Sequence, residues 1–181
     1  MKAMKQLLLL FLALLLLPLA ADAQARTGGQ RTEDYPTVVN GHLAFMGIPI
    51  NTPEESLRKQ LFAKGFKVYK NRWGQEFSET LVGIYKGRKV QVQTAYKSLI
   101  IKDDENPTLQ KARKRYYSLV KQLESIYGKG ITKDYNDLYL RYEIKTPQGL
   151  VVAEMFNEDE MDGASDCYIV SFVLSESECN D

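Results

Sequence analysis

The sequence contains very few of the side chains on which most enzymatic chemistry depends. Among its 181 residues there are one histidine, His42, and two cysteines. A serine or cysteine nucleophile ordinarily needs a base and an orienting acid beside it, and His42, at the start of an apolar run, is typical of a strand-edge residue. The sequence also lacks the motifs G-x-S-x-G and H-E-x-x-H and a phosphate-cradling glycine loop. We therefore expect no catalytic residue and no cofactor.

The chain also lacks an excess of either charge. Lys and Arg number 24 and Asp and Glu number 23, which gives a net charge of +1. Proteins that bind nucleic acid depend on a basic excess that contacts phosphates. A basic stretch does occur at 111–115, but Ala112 and Tyr116 belong to the apolar stripe of a predicted helix, so the charges cover its solvated side. We predict no nucleic-acid partner.

Long apolar runs are absent as well, with one exception near the start of the chain. Lys2 and Lys5 precede the uninterrupted apolar run 7–17, and Ala21-Asp22-Ala23 follows it. About ten apolar residues between a basic start and small residues are typical of a secretory leader, whereas a membrane span needs about twenty. We predict that residues 1–23 are a signal peptide, that the protein is exported to the periplasm or the exterior, and that the mature chain has no membrane span.

Export brings both cysteines, Cys167 and Cys179, into an oxidising compartment, where thiols tend to pair. A disulfide between them would close a loop of roughly a dozen residues and constrain the unfolded chain by about 3 kcal/mol. The alternative is that Cys167 is buried at the start of a strand and that Cys179 lies unpaired in the terminal segment. The sequence is consistent with both.

The remainder of the chain is long enough for one domain with a core of its own. Residues 24–40 show little apolar periodicity, and we predict that they form a flexible tether to a single domain over 41–181. Two segments of this domain are predicted to be helices, because each begins with a capping residue followed by proline and ends before a glycine. These helices start at Thr52-Pro53 and at Asn106-Pro107 and end before Gly65 and Gly128.

Extended segments flank both predicted helices. In 89–96, Val90 and Val92 alternate with glutamines, which is the period of a strand with one dry face and one wet face. The predicted strands are 42–48, 66–69, 77–85, 89–96, 98–102, 138–145, 150–156 and 167–174. Because the order strand, helix, three strands occurs twice, we predict an α+β fold with two helices packed on one face of an antiparallel sheet. The duplicated β-α-β-β-β units would be 41–97 and 98–181.

The predicted arrangement, in which a helix followed by a small antiparallel sheet occurs twice along an exported chain, resembles the fold of the beta-lactamase inhibitory protein family. This resemblance implies tight binding of another protein through a concave sheet. The segment F-M-G-I-P-I-N-T-P-E-E, residues 45–55, is also similar to openings of uncharacterised small exported bacterial proteins.

The predicted strand that begins near Leu138 places its side chains alternately on two faces. One face carries Leu138, Leu140 and Tyr142, and the other carries Tyr139, Arg141 and Glu143. A face that mixes an aromatic ring with charges suits a contact surface, and it is equally the pattern of a solvated sheet face. We predict a non-enzymatic binding domain for a protein or peptide, with Tyr139, Arg141 and Glu143 as its binding residues.

The densest polar cluster is the loop 158–166. Glu158, Glu160 and Asp162 occupy alternating positions before Gly163, which imitates the spacing of a calcium loop and makes these acids candidate metal ligands. The twelfth position is Ile169, which offers no closing carboxylate, so a solvated loop is the alternative reading. The same acids define the alternative function of an envelope hydrolase, and a structural component of the envelope is a third possibility.

Overall fold

Most of the described chain is β-structure. The computed structural model describes residues 35–95, 97–103, 107–136, 138–157 and 168–176. Of these residues, 51% lie in strands and 23% in helices. The predicted signal peptide, both cysteines and the acidic loop 158–166 lie outside the described ranges.

Two helices and eleven strands make up these ranges. The helices are α1 (Glu54–Ala63) and α2 (Leu109–Tyr127). The strands are β1 (Val38–Val39), β2 (His42–Phe45), β3 (Ile48–Pro49), β4 (Lys67–Lys70), β5 (Glu76–Tyr85), β6 (Arg88–Ala95), β7 (Ser98–Asp103), β8 (Ile131–Thr132), β9 (Leu140–Thr146), β10 (Gly149–Asn157) and β11 (Tyr168–Glu176). The first strand, β1, lies within the range 24–40 that we predicted to be a tether.

Eight of these strands form one antiparallel sheet in the order β4-β5-β6-β7-β11-β10-β9-β8. Along the chain, α1 is followed by β4 to β7, and α2 is followed by β8 to β11. The two sets of strands meet where β7 pairs with β11, with Leu99 opposite Leu174 and Ile101 opposite Phe172. A second sheet, of three strands in the order β1-β2-β3, precedes α1.

The predicted α+β fold, with two helices on one face and duplicated β-α-β-β-β units, is wrong. Strands dominate the described residues, and each helix is followed by four strands rather than three. The strand predicted to open a second unit, β7, instead pairs with β6 and completes the first set. Strands as short as β1, β3 and β8 show no period in the sequence, so their contribution to the sheets could not be recognised.

The two faces of the eight-stranded sheet differ in character. On one of them, the core face, α2 packs across β9, β10 and β11. This face carries Leu99, Ile101, Ile144, Val151 and Leu174, all of which are fully buried. The residues between them along each strand point the other way, to what we call the outer face. The helix α1 adds Leu57 and Leu61 to the same core.

Aromatic contacts attach the three-stranded sheet to the core. The ring centroid of Phe45 in β2 lies 4.9 Å from that of Tyr85 and 6.3 Å from those of Phe66 and Phe172. Aromatic pairs at such distances contribute about 0.5–1.5 kcal/mol beyond their burial. Phe66, which follows α1, also covers the backbone of Gly83 in β5. These rings therefore connect β2, the end of α1 and two strands of the large sheet.

A hydrogen-bond network joins the C-terminal end of α2 to β9. Tyr142 Oη donates to Glu124 Oε1 at 2.5 Å and accepts the N–H of Gly130 at 2.8 Å, and Lys129 Nζ donates to Glu124 at 3.0 Å. The bonds from Tyr142 and Lys129 lower the pKa of Glu124, and the bond to Glu124 raises the pKa of Tyr142. The network fixes the path of the chain from the helix into β8 and β9.

Within the described ranges, neither helix combines the length and the apolar character that a membrane crossing requires.

Candidate functional site

A network of charged side chains lies on the outer face at β9 and β10. Arg141 Nη1 donates to Glu154 Oε1 at 2.6 Å, and Arg141 Nε donates to Glu143 Oε1 at 2.7 Å. Glu154 also accepts a hydrogen bond from Tyr139 Oη at 3.1 Å, and Glu143 pairs with Lys133 Nζ at 3.0 Å. The register explains this meeting, because Arg141 lies directly opposite Glu154 in the β9–β10 ladder. The structure thus brings the three predicted binding residues together.

Arg141, Glu143 and Tyr139 keep their usual charge states within this network. Partial burial opposes the charge of Arg141, but hydrogen bonds with Tyr139 and Glu143 and the charge of Glu154 outweigh it and raise the pKa of Arg141. Burial also opposes the charge of Glu143, yet hydrogen bonds from Lys133 and Arg141 leave its pKa lowered. The pKa of Tyr139 is raised, chiefly by burial. Each of these shifts moves the group away from neutral pH, so none of the three is suited to proton transfer there.

The network contributes to stability in its own right. Replacing Arg141 with methionine should lower the free energy of unfolding by about 2 kcal/mol, because Glu143 and Glu154 would be left partly buried without their shared cation. The side chain of Arg141 is 26% exposed, so solvent screening holds the loss below that for a fully buried pair. Urea denaturation of the two proteins measures the difference.

The matched control for this prediction is Lys145→Met. Lys145 lies on the same strand and the same face as Arg141 but is exposed, so its replacement should change the stability by less than about 0.5 kcal/mol. Adding Glu154→Gln to the Arg141→Met protein should recover part of the loss, because the isolated carboxylate is then removed. Equal stability of the Arg141→Met and Lys145→Met proteins would contradict this role of Arg141.

A stacked pair of tyrosines borders the network. The rings of Tyr135 and Tyr139 are nearly parallel, at 12°, with their centroids 5.0 Å apart. The backbone N–H of Tyr135 bonds to the carbonyl oxygen of Tyr139 at 3.2 Å. Tyr135 is 63% exposed, so the stack presents an aromatic ring to solvent beside the charges of Arg141 and Glu143. The arrangement is a surface suited to contact with another molecule.

The most exposed of the large apolar side chains in the described ranges is that of Trp73, at 76%. It lies in the turn between β4 and β5, residues 71–75, which we call the Trp73 tip. Asn71 closes this turn: its Oδ1 accepts the N–H of Trp73 at 3.0 Å and the N–H of Gln75 at 2.9 Å. The N–H of Gly74 bonds to the carbonyl oxygen of Asn71 at 3.0 Å. The tip is therefore held in one conformation while its indole ring is in solvent.

Other side chains suited to binding accompany Trp73. The guanidinium carbon of Arg72 lies 4.1 Å from the centroid of the Trp73 ring, a cation–π contact. On the strands behind the tip, the rings of Tyr69 and Phe77 lie 5.8 Å apart, and Phe77 is exposed. Tryptophan, tyrosine and arginine are the residue types that most often dominate binding energies. The β4–β5 hairpin, which carries the Trp73 tip, thus groups these residue types.

Our sequence-based predictions did not include Trp73, although a signal was present. It is the single tryptophan of the chain, and it occurs in N-R-W-G-Q, where Asn and Gly indicate a turn. A tryptophan within a turn has no strand or helix face along which to be buried. That combination could have marked the residue as exposed.

Neither the predicted metal site nor the predicted disulfide falls within the described part of the chain. No group of three or more His, Cys, Asp or Glu side chains that could hold a metal ion occurs there. The predicted metal ligands Glu158, Glu160 and Asp162 and the predicted pair Cys167 and Cys179 lie outside it. The single histidine, His42, has its Nδ1 3.1 Å from Glu176 Oε1, which links β2 to β11.

Comparison of the chain with known protein families, with curated proteins and with solved structures finds no match. The function therefore has to follow from the side chains themselves.

Proposed function

We propose that the protein is an exported, non-enzymatic binding domain for another protein and that the Trp73 tip anchors its contact surface. The observation that carries this proposal is a tryptophan that is 76% exposed on a turn fixed by hydrogen bonds. A large apolar side chain on a turn whose backbone is already fixed loses less conformational freedom when a partner buries it than one on a free loop. The secretory pattern of residues 1–23 and the scarcity of catalytic side chains support the same class of function.

The surroundings of Trp73 define the chemistry of the partner. Burial of the indole ring requires an apolar pocket, and the exposed ring of Phe77 extends the apolar contact. The guanidinium of Arg72, which lies over the indole, favours a carboxylate at the rim of that pocket. A protein with an apolar pocket and an acidic rim fits this surface. The resemblance to the beta-lactamase inhibitory protein family, which implies a protein partner, supports the same class of ligand.

Partner capture from an envelope extract on the immobilised mature domain, residues 24–181, tests the proposal. Trp73→Ala should weaken capture by about 30-fold, which corresponds to the loss of a binding hot spot of about 2 kcal/mol. The chain has a single tryptophan, so the emission of the mixture after subtraction of the emission of the partner alone reports the contact. Its emission should shift to shorter wavelength when the purified partner is added.

Fractionation of the producing cell tests the export that the proposal includes. Recovery of only the uncut chain, from the cytosol, would contradict export.

The matched control is Phe62→Ala. Phe62 is also an exposed aromatic residue with an arginine, Arg58, over its ring at 5.7 Å, but it lies on α1. Its replacement should leave capture unchanged. Asn71→Ala keeps the indole but frees the turn, so it should weaken capture by less than Trp73→Ala does. Equal capture by the wild-type, Trp73→Ala and Phe62→Ala proteins would exclude the Trp73 tip.

The surface formed by Tyr139, Arg141 and Glu143 is the other candidate for the contact. It lies on β9, near the end of the sheet opposite to β4. Replacing Arg141 would disturb the fold as well as the surface, so Tyr135→Ala is the better probe because it removes only the exposed ring of the stack. Loss of capture with Tyr135→Ala but not with Trp73→Ala would move the contact surface to β9.

A further inference from the structure

A depression on the surface has walls from α2, from β9 and from residues 134–136, which precede β9, and the Trp73 tip does not contribute to it. Its volume is about 460 Å³, within the range of about 300–1,000 Å³ that is typical of small-molecule sites. The described residues that line it are Arg113, Tyr117, Asp134, Tyr135, Asn136 and Leu140. All of these except Leu140 carry side-chain groups that form hydrogen bonds, so the lining suits a ligand with many polar groups.

Two exposed tyrosine rings line the depression, and each of them is packed against a second tyrosine. Tyr117 is 55% exposed and Tyr135 is 63% exposed. The ring of Tyr117 meets that of the buried Tyr116 edge to face, with their centroids 5.3 Å apart. Tyr135 has the stacking contact with Tyr139 described above. Because each exposed ring has this support, it loses less conformational freedom when a ligand packs on it than an isolated surface ring would.

The amide of Asn136 has a fixed orientation in the same depression. Its Oδ1 accepts the N–H of Leu138 at 2.8 Å and the N–H of Tyr139 at 2.7 Å. These backbone donors distinguish the amide oxygen from the amide nitrogen, and the nitrogen donates to none of the described residues. The carboxylate of Asp134 is exposed and likewise accepts no hydrogen bond within the described ranges. The depression therefore offers an amide donor and a carboxylate acceptor to a ligand.

Aromatic faces combined with hydrogen-bonding groups match the chemistry of a sugar ring. A pyranose has faces of C–H groups, whose partial positive charge favours packing on the negative face of an aromatic ring. Its rim carries hydroxyls that both donate and accept, so one hydroxyl can donate to Asp134 while another accepts from Asn136. The Trp73 tip is different in kind, because its single ring projects into solvent instead of lining a depression.

We propose that this depression binds one pyranose unit of a glycan, with Tyr117 and Tyr135 as packing surfaces and with Asp134 and Asn136 as hydrogen-bond partners. The site is independent of the protein contact at Trp73 and takes a different class of ligand. A chain with both sites would attach its protein partner to a polysaccharide.

Titration of the mature domain with four uncharged probes, followed through its amide NMR signals, tests the proposal. Methyl β-glucoside and methyl N-acetyl-β-glucosaminide supply the ring and its hydroxyls together. Sorbitol supplies the hydroxyls without a ring, and cyclohexanol supplies a ring with one hydroxyl. At least one of the two glycosides should shift the signals of Tyr117, Tyr135 and Asn136 saturably. Sorbitol and cyclohexanol should bind at least about tenfold more weakly.

Variants of Tyr117 and Asp134 separate the packing from the hydrogen bonds. Tyr117→Ala removes one packing surface and should weaken binding of the tighter glycoside by about tenfold, whereas Tyr117→Phe keeps the ring and should bind within about threefold of the wild type. Asp134→Ala removes the acceptor and should weaken binding by about tenfold. Both positions are exposed, so we expect these proteins to fold. The control is Phe62→Ala, which removes an exposed ring on α1 and should leave glycoside binding unchanged.

Four results would overturn this proposal. Binding of sorbitol or cyclohexanol as tight as that of the glycosides would show that the sugar ring contributes nothing. The absence of saturable shifts at Tyr117, Tyr135 and Asn136 with both glycosides would show that the depression takes no pyranose. Loss of partner capture by Tyr117→Ala, without any glycoside binding by the wild type, would make the depression a protein contact instead. An unchanged glycoside affinity in both Tyr117→Ala and Asp134→Ala would place the sugar elsewhere.

Discussion

Replacing Gly130 with alanine should lower the free energy of unfolding by about 3 kcal/mol. A β-carbon at this position would overlap the carbonyl oxygen of Glu143 and would lie 2.8 Å from side-chain atoms of Tyr142 and Ile144. Glu143 cannot withdraw, because its strand β9 is paired with β8 on one side and β10 on the other. A displaced loop would also lose the hydrogen bond from Gly130 N–H to Tyr142 Oη. This bond belongs to the network that attaches the end of α2 to β9.

Urea denaturation followed by circular dichroism measures this effect. Lys129→Ala is the neighbouring control: it removes an exposed side chain at the adjacent position and should leave most of the stability intact. If the Gly130→Ala protein unfolded within about 0.5 kcal/mol of the wild type, the loop after α2 would have to approach β9 less closely than the structure shows.

Replacing Gly83 with alanine should lower the free energy of unfolding by about 2 kcal/mol. A β-carbon there would lie 2.5 to 2.7 Å from three ring atoms of Phe66. Phe66 is only 2% exposed and packs against Phe45, so its ring cannot move aside without disturbing the aromatic contacts that attach the three-stranded sheet. The same denaturation measurement applies.

A double-mutant cycle with Phe66→Leu identifies the cause. Phe66→Leu alone should cost up to about 1.5 kcal/mol, and in the double variant the smaller side chain should accommodate the new β-carbon. The sum of the losses in the free energy of unfolding of the two single variants should therefore exceed the loss of the double variant by at least about 1 kcal/mol. Strict additivity would contradict a clash with the ring. Trimming Ile144 to valine should not rescue Gly130→Ala, because the closest atom in that case belongs to the backbone.

The two glycines show what a sequence does not reveal. Both resemble ordinary chain positions, and neither has the positive φ by which a turn signals its need for glycine. The reason for each lies in a distant segment: Phe66 approaches Gly83, and the backbone of β9 approaches Gly130. Such close approaches depend on packing between elements and leave no local pattern.

Helix ends were predictable because they depend on neighbouring residues. The predicted starts at Pro53 and Pro107 lie within two residues of the first helical residues, Glu54 and Leu109. Gly65 and Gly128 end the helices with positive φ, at 88° and 94°, as expected for glycine at this position. The capping role predicted for Thr52 was wrong, because Pro53 is the N-cap of α1 and no side chain caps the helix.

Alternation along strands was predictable for the same reason, but strand pairing was not. Leu140 and Tyr142 are buried, while Arg141 and Glu143 occupy the outer face, as the period of two indicated. Nothing in the sequence of β9 shows that Arg141 lies opposite Glu154. The ion pairs that occupy Arg141, and with them its contribution to stability, follow only from the register between two strands.

The Trp73 tip and the ion pairs that Arg88 and Arg115 form with Asp103 depend on the fold in different ways. The Trp73 tip is local: a turn sequence around a single tryptophan sufficed to form it, and only its degree of exposure required the structure. The paired guanidinium groups of Arg88 and Arg115 are not local, because one comes from a hairpin and the other from α2. Their spacing in the sequence carries no information about their meeting.

The sequence by itself determined where helices end, which side of a strand is dry and how few groups are available for catalysis, because each depends on residues within one turn or one strand. Only the tertiary structure decided that strands prevail over helices and that β7 joins β11. It also decided which charged side chains pair and which glycines are approached closely by a distant segment. Those outcomes depend on the free energy of contacts between distant segments, and the residue pattern of a single segment carries no information about such contacts.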